Sequence, residues 1–484
     1  FVLYSFIAGN PVECTRPLGI GVRLSNGLPS CWGKEIRHRI RTNNLHMMRV
    51  MASILNMYRG MKVANKGADF SSISQPHPII EGPLLEQYRI FCTTILPKLL
   101  KEATGMKDLR FKYQSARGLL MLTAGANATV GSLSMVRDAH AWAEHAENLR
   151  QNYVSQWLGM HNDEDLLMTF ERCMDEWHQE GRGQSPLPGG KDELDTTPTF
   201  ANLTNYYHWP KAVVKYSQND CISHNIWYEN KTDMNQVSMD SKGLPYPVLG
   251  RLHLINEAAG KVRVVAICDY WTQVCLKPVH DHLMRILRAL PTDATFDQSG
   301  IVQSYYERGL SPHWSFDLKA ATDTIPLELY KIALIPVFKS PGDSDSDVKT
   351  RINVWAKMLT DRDFATPGGQ SVRYNCGQPM GAYSSWASMA FVHHTLVQFA
   401  SWRSNFDTTK WYQDYLVLGD DVDIAISQQV ADEYVNVCAN FSVKIGMAKT
   451  LKSMNNCFEF ANRRFSPHGD ISPISLREEQ SAQS

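Results

Sequence analysis

Asp317, Asp420 and Asp421 are the residues whose type and spacing best suit chemistry. Gly419-Asp420-Asp421 separates two apolar runs, Tyr415 to Leu418 and Val422 to Ile426, and so reads as a β-hairpin with carboxylates at its tip. Trp314-Ser315-Phe316 reads as a short aromatic strand that ends at Asp317. A strand-end carboxylate and a hairpin-tip carboxylate can converge on two divalent cations about 3.5–4 Å apart, the arrangement used for metal-assisted phosphoryl transfer. Magnesium suits such a site, because it takes oxygen ligands and leaves positions for water and substrate phosphates. Each piece also has an ordinary reading: an Asp-rich turn for the tripeptide, and helix N-caps for Asp317 and Asp323.

Other elements must position these carboxylates. Between them lies Cys376-Gly377-Gln378-Pro379-Met380-Gly381-Ala382-Tyr383-Ser384-Ser385, followed by an apolar helical stretch from Trp386 to Phe399. A Gly/Pro loop before a helix lets backbone approach a nucleic-acid strand, and its Ser and Gln groups can hydrogen-bond sugar or phosphate. A plain loop and N-cap is the alternative. His393 and His394 are adjacent, face different sides of that helix and read as structural. Upstream, Val248 to Ile255, a turn at Glu257-Ala258-Ala259-Gly260 and Val262 to Ile267 read as a hairpin, with Lys261 and Arg263 on one face of its second strand.

The first third predicts helices over Arg49 to Tyr58 and Leu84 to Leu100, and a third segment carrying Trp142, Leu149, Tyr153 and Trp157. Residues 181–200, rich in Gly and Pro, predict an exposed linker, and Ser340 to Asp347 a further loop. The basic group Lys34, Arg37, Arg39 and Arg41 suits either nucleic-acid phosphates or a solvated helix face.

The 484 residues are 43% hydrophobic, enough for a folded protein with several subdomains, and they begin at Phe1 rather than Met, as a fragment does. Lys+Arg and Asp+Glu both number 49, so any nucleic-acid surface is a local patch. Ten cysteines without a C-x-x-C pair exclude a zinc ribbon and a secreted disulfide framework, and read as reduced thiols. No apolar run approaches the about 18–20 residues that span a bilayer.

The order of these features resembles that of viral RNA-directed RNA polymerases. Asp317-x5-Asp323, Gly377 to Ala387 and Gly419-Asp420-Asp421 are similar to their palm motifs A, B and C, and the motif B wording resembles that of mitoviruses. Gly260 to Ile267, Trp271-Thr272-Gln273, Leu276 to Asp281 and Thr295 to Gln298 are similar to the motif F region. Phe458 to Arg464 is similar to motif E, and Ser472 to Ser475 to the segment beyond motif E. Val22 to Pro29 looks like the N-terminal signature, so the likeness runs over nearly the whole chain.

The resemblance implies an α+β right-hand polymerase with fingers, palm and a truncated thumb. It divides the chain into a helical N-terminal region and fingers (1–180), the linker (181–200), fingers with the motif F hairpin (201–300), palm motif A (301–336), a fingers insertion (337–374), palm motifs B to E (375–465) and the start of a thumb or tail (466–484). Asp317, Asp420 and Asp421 would hold Mg²⁺, with Mn²⁺ able to substitute. Lys261 and Arg263 would grip the nucleotide triphosphate, Asp323 and Ser385 would sense the ribose 2′-hydroxyl, and Lys449 would protonate the leaving pyrophosphate, with Lys444 and Lys452 as rivals. Gly377, Gln378, Gly381, Ser384 and Arg463 would contact template or primer.

The implied partners are RNA template and product and ribonucleoside triphosphates, with no membrane span and no obligate protein partner. The implied setting is a host mitochondrion and a positive-strand genome. Many viral polymerases carry Asn four residues beyond the motif B Ser. Met389 stands there and leaves the partner of Asp323 unassigned. An inactive RNA-binding remnant and a reverse transcriptase are the rivals, and the acidic Asp323, where ribose exclusion favours bulk, speaks against the second.

Overall fold

The alternating apolar residues around the carboxylates form strands. In the computed structural model, which describes residues 2–10, 22–57, 67–119, 121–128, 131–149, 152–179, 247–447 and 450–474, the architecture is α+β. A four-stranded antiparallel sheet runs in the order β10 (Leu451–Ser453), β5 (His313–Asp317), β9 (Asp421–Ala425), β8 (Tyr415–Leu418). The aromatic run of β5 is buried from His313 to Phe316 and surfaces only at Asp317.

The expected upstream hairpin is present as β3 (Gly250–Asn256) and β4 (Val262–Cys268). β3 also pairs in parallel with β6 (Phe364–Ala365), which turns back to β7 (Ser371–Val372). β11 (Phe458–Phe460), β12 (Arg463–Ser466) and β13 (Gly469–Asp470) form a third sheet, and β1 (Leu24–Ser25) pairs with β2 (Leu28–Pro29).

Helix Ser385–Arg403 fills the centre and is buried continuously from Ala387 to Ser401, as a helix that is mostly apolar all round must be. The expected helix over Arg49 to Tyr58 begins earlier, at Leu45–Asn56, because the Asn44 side chain caps the Met47 N–H at 2.9 Å. Tyr58 and the 181–200 linker lie outside the described residues.

The expected helix over Leu84 to Leu100 runs from Pro83 to Thr104 but passes through a π-helical stretch, Phe91–Ile95. Pro97 follows at once, and a proline crowds the carbonyl one turn before it. The third segment is two helices, Met135–Leu149 and Tyr153–Met160, the second capped by Asn152. In the expected 340–347 loop, Ser344 and Asp347 form a capping box that starts helix Asp345–Thr360. Of the described cysteines, Cys31 is exposed and the others are buried thiols.

Beneath the central sheet, Asp423 is fully buried and accepts hydrogen bonds from Ser315 Oγ at 2.7 Å, Tyr305 OH at 3.0 Å and His313 Nδ1 at 2.7 Å. His313 Nε2 meets the Leu310 carbonyl at 2.8 Å, so both ring nitrogens face acceptors. Burial pushes the His313 pKa down, but the charge and hydrogen bond of Asp423 outweigh it and the net shift is upward. A folded pKa above the unfolded 6.5 stabilises the protein fully below that pH, and the contribution is lost as pH rises through the folded value. Unfolding free energy from urea titrations is therefore expected to decline as pH rises above 6.5, and Asp423→Asn to flatten the decline. An unchanged slope in that variant would rule the pair out as its source.

Candidate active site

β5 and β9 are in a register that sets Asp317 directly opposite Asp421, and β8 sets Leu418 opposite Asp421 on its other side. Residues so paired have Cα atoms about 4.5–5.5 Å apart. The Leu318 N–H donates to the Asp420 carbonyl at 3.0 Å and the Gly446 N–H to the Asp317 carbonyl at 2.7 Å, so both carboxylate-bearing turns are fixed through their backbones. Gly419 has φ +61°, which lets the tip turn tightly, and its position packs on Trp386. Its carbonyl accepts from His393 Nδ1 at 2.7 Å, while His393 Nε2 accepts from Tyr434 OH at 2.7 Å. Burial holds the His393 pKa down at about 4, so the ring is neutral and its tautomer is set by the carbonyl. Sequence alone marked His393 as structural and gave no sign that it braces this turn.

Asp323 lies on the short helix Ala321–Thr324, half-buried, and its Oδ2 accepts from Ser72 Oγ at 2.7 Å. Burial pushes its pKa up against the hydrogen bonds from Ser72 and Thr322. The Gly/Pro loop packs on this helix: the Gly377 N–H donates to the Asp323 carbonyl at 3.0 Å and the Gln378 N–H to the Thr322 carbonyl at 2.8 Å. A Cβ at Gly377 would lie 2.1 Å from the Thr322 carbonyl oxygen, and one at Gly381 2.2 Å from that of Ala266.

The openness of these glycines therefore serves close approach of the protein's own backbone, where the sequence reading gave it to nucleic acid. Gly377→Ala is expected to cost about 2 kcal/mol or more, read by thermal unfolding, because backbone rather than a flexible side chain blocks the methyl. Gly368→Ala, whose Cβ would meet nothing nearer than 3.9 Å, is the control, and equal melting of the two would contradict the packing.

Gln378 and Ser384, expected at the template, are both 0% exposed in this conformation. Gln378 Nε2 donates to the Ser385 carbonyl at 3.0 Å and to Ser388 Oγ at 2.9 Å, and Ser384 Oγ accepts from Trp355 Nε1 at 3.1 Å. Both hold the loop in shape. Ser385 is buried too, and its hydroxyl has no hydrogen-bond partner among the described residues. Gln273 locks the other end of the loop, donating to the Gly381 carbonyl at 3.1 Å and accepting from the Tyr383 N–H at 2.7 Å.

Lys261 and Arg263 do reach one point, the Glu257 carboxylate, at 3.4 and 2.5 Å. Glu257 is partly desolvated, which raises its pKa, but Arg263 and Lys261 lower it further and the net shift is down. Arg463 is engaged by Asp470 at 2.8 Å across the third sheet. Lys449 lies outside the described residues. Lys444 donates to Gln75, and Lys452 lies over the Trp314 ring at 5.9 Å. A groove of about 990 Å³ lined by Arg89, Lys101, Glu328, Lys331 and Lys349 includes none of these residues and is separate from the carboxylates.

The donor set at this end of the central strands is all carboxylate oxygen, the chemistry of a hard cation. Among the described residues, no group of three or more His, Cys, Asp or Glu side chains closes on one point. Magnesium sites that act on phosphates are completed by water and substrate oxygens, so a few carboxylates of this kind would suffice to hold such a cation. Among the described residues, no helix is long and apolar enough to cross a membrane.

Comparison with known proteins gives the class first: the chain is similar to viral RNA-directed RNA polymerases. Residues 191–480 match the family described as Mitovirus RNA-dependent RNA polymerase, more than half of the sequence, and the chain belongs to that family. It is 35% identical over 225 residues to the RNA-directed RNA polymerase of Cryphonectria parasitica mitovirus 1, a match covering 46% of the chain and 26% of the relative, so it spans about a quarter of that relative's length.

It is also 33% identical over 198 residues to an uncharacterized mitochondrial protein of Arabidopsis thaliana, covering 40% of the chain and 76% of that protein. Among solved structures, the RNA-dependent RNA polymerase of a human picorbirnavirus aligns with TM-score 0.38 at 14% identity, over 49% of this chain and 47% of that one. The Sicinivirus 3Dpol RNA-dependent RNA polymerase aligns with TM-score 0.34 at 16% identity, over 54% and 62%.

Proposed function

We propose that this protein is an RNA-directed RNA polymerase that joins ribonucleotides on an RNA template by attack of a 3′-hydroxyl on the α-phosphate, releasing pyrophosphate. The observation that carries the reading is the pairing of Asp317 with Asp421 at one end of the two central strands of the sheet, with Asp420 bonded through its carbonyl to the residue after Asp317. Membership of the mitovirus polymerase family supports it.

Asp317, Asp420 and Asp421 would hold a divalent pair, Mg²⁺ or in its place Mn²⁺. When bound there, such ions supply positive charge to the phosphate oxygens and make the hydroxyl easier to ionise. Lys261 and Arg263 bind the triphosphate, whose oxygens replace the Glu257 carboxylate that now joins them. Asp323 accepts a hydrogen bond from the ribose 2′-hydroxyl. Lys449 delivers the proton to the leaving pyrophosphate, and Gly377, Gln378, Gly381, Ser384 and Arg463 shape the surface that receives template and primer. The genome served is positive-strand RNA and the compartment is the mitochondrion.

A second reading, a resident copy that no longer polymerises, is favoured by the likeness to an Arabidopsis mitochondrial protein. Purified protein with RNA template, labelled ribonucleoside triphosphates and Mg²⁺ or Mn²⁺ distinguishes the two. Template-complementary product is expected, and its absence with both ions would favour the inactive copy.

A further inference from the structure

We propose that Ser72 sets the ribose selectivity of this site by anchoring the Asp323 carboxylate, so that one of its oxygens is presented to the sugar. The inference rests on the polymerase reading above and adds to it a residue from a distant part of the chain. Ser72 Oγ donates to Asp323 Oδ2 at 2.7 Å across 251 residues of sequence. The residues just beyond it are tied down. Ile73 is 1% exposed, its carbonyl accepts from the Asn375 N–H at 3.2 Å, and Asn375 Nδ2 donates to the Ser74 carbonyl at 3.1 Å. Gln75, one residue further, accepts from Lys444. The hydroxyl is therefore held in place by backbone contacts to the residues just before Gly377 as well as by its own bond.

Other side chains that might have served do not. Met389, at the position four beyond Ser385, is 3% exposed and has no hydrogen-bond donor. Ser385 is buried, its hydroxyl without a partner among the described residues. Among the described residues, the donors to the Asp323 side chain are Ser72 at 2.7 Å and Thr322 Oγ1, which reaches Oδ1 only at 3.4 Å. Ser72 thus fixes Oδ2 and leaves Oδ1 with acceptor capacity. An ionised carboxylate can only accept. A ribose 2′-hydroxyl supplies the missing donor, whereas a deoxyribose leaves a half-buried carboxylate under-satisfied. Sites built around one substrate hydroxyl reject the analogue that lacks it for that reason. Burial pushes the Asp323 pKa up, and the Ser72 hydrogen bond is the largest effect opposing that rise.

The test is the ratio of kcat/KM for a ribonucleoside triphosphate to that for its 2′-deoxy analogue on one RNA template, with the full chain. Ser72→Ala is expected to shrink the ratio by about ten- to a hundredfold, the worth of one hydrogen bond to a charged group, through loss on the ribonucleotide alone. A merely structural role would slow both nucleotides together. Ser72→Thr, which keeps the hydroxyl, is expected to retain the ratio, and Ser72→Val, its isostere without one, to lose it. This pair decides the matter should the alanine variant fold poorly. If Thr and Val variants discriminate alike, or Ser72→Ala matches the wild type within about twofold, Ser72 is not the anchor even though the protein polymerises. If the wild type incorporates neither nucleotide, the polymerase reading falls and the Ser72 assignment falls with it.

Discussion

Asp420→Ala is expected to lower template-directed ribonucleotide incorporation by at least about a thousandfold, and Asp317→Ala to do the same. The two residues come from turns tied to each other by the Leu318 to Asp420 hydrogen bond at 3.0 Å, so in the proposed reaction each would supply part of one cation site. Removing either breaks the same constellation, and the double variant should be little worse than either single one, as groups acting as a unit are not additive. Stability should barely change, because Asp420 is exposed at the hairpin tip and Asp317 half-exposed at a strand end. Activity within about tenfold of wild type in a folded Asp420→Ala protein would remove this residue from the chemistry.

The second large effect is on stability, far from the carboxylates. Arg362 and Asp269 are both fully buried and joined at 2.5 Å. Arg362 also donates to Thr272 Oγ1 at 2.5 Å, to the Leu249 carbonyl at 3.0 Å and to the Met358 carbonyl. Asp269 accepts in addition from Trp142 Nε1 at 2.9 Å and caps helix Tyr270–Ala289 through the Thr272 N–H at 2.9 Å. One ion pair therefore ties the β3–β4 hairpin, the helix that carries Gln273 and the end of helix Asp345–Thr360.

Asp269→Ala leaves a guanidinium in the interior without its counter-charge and is expected to cost about 3–5 kcal/mol in urea unfolding. Asp281→Ala, which breaks the exposed pair with Lys277, is expected to cost under about 1 kcal/mol. Equal losses in the two variants would mean that the buried network does not hold the fold together.

What was legible in the sequence was local. Tyr415 to Leu418 and Val422 to Ile426 flank a turn, and Val248 to Ile267 alternates around one, so both hairpins could be read before any tertiary structure was known. The strand before Asp317 and the helix after Ser385 followed from the same periodicities. Contacts between distant segments carry no such pattern. Ser72 sits in a short polar stretch whose composition says nothing of Asp323. The buried amide of Gln378 looks in sequence like any loop glutamine. Gly377 and Gly381 were legible as places of close backbone approach, but whether the approaching backbone is RNA or the protein itself is decided only by the fold. Glu257 was visible as a turn residue, yet its charge is what gathers Lys261 and Arg263. His393 and His394 read as structural because neighbouring positions on a helix diverge, and both rings are hydrogen-bonded within the core. One braces the Gly419 turn and the other bonds Tyr415 and Asp293.

The most direct measurement of the central claim is anomalous X-ray scattering from crystals of the protein grown with Mn²⁺, an RNA template and a non-hydrolysable ribonucleoside triphosphate. Two manganese peaks about 3.5–4 Å apart are expected, bridged by the carboxylates of Asp317 and Asp420 and by triphosphate oxygens. Peaks bound elsewhere, or a nucleotide seated without metal contact to either aspartate, would contradict the assignment.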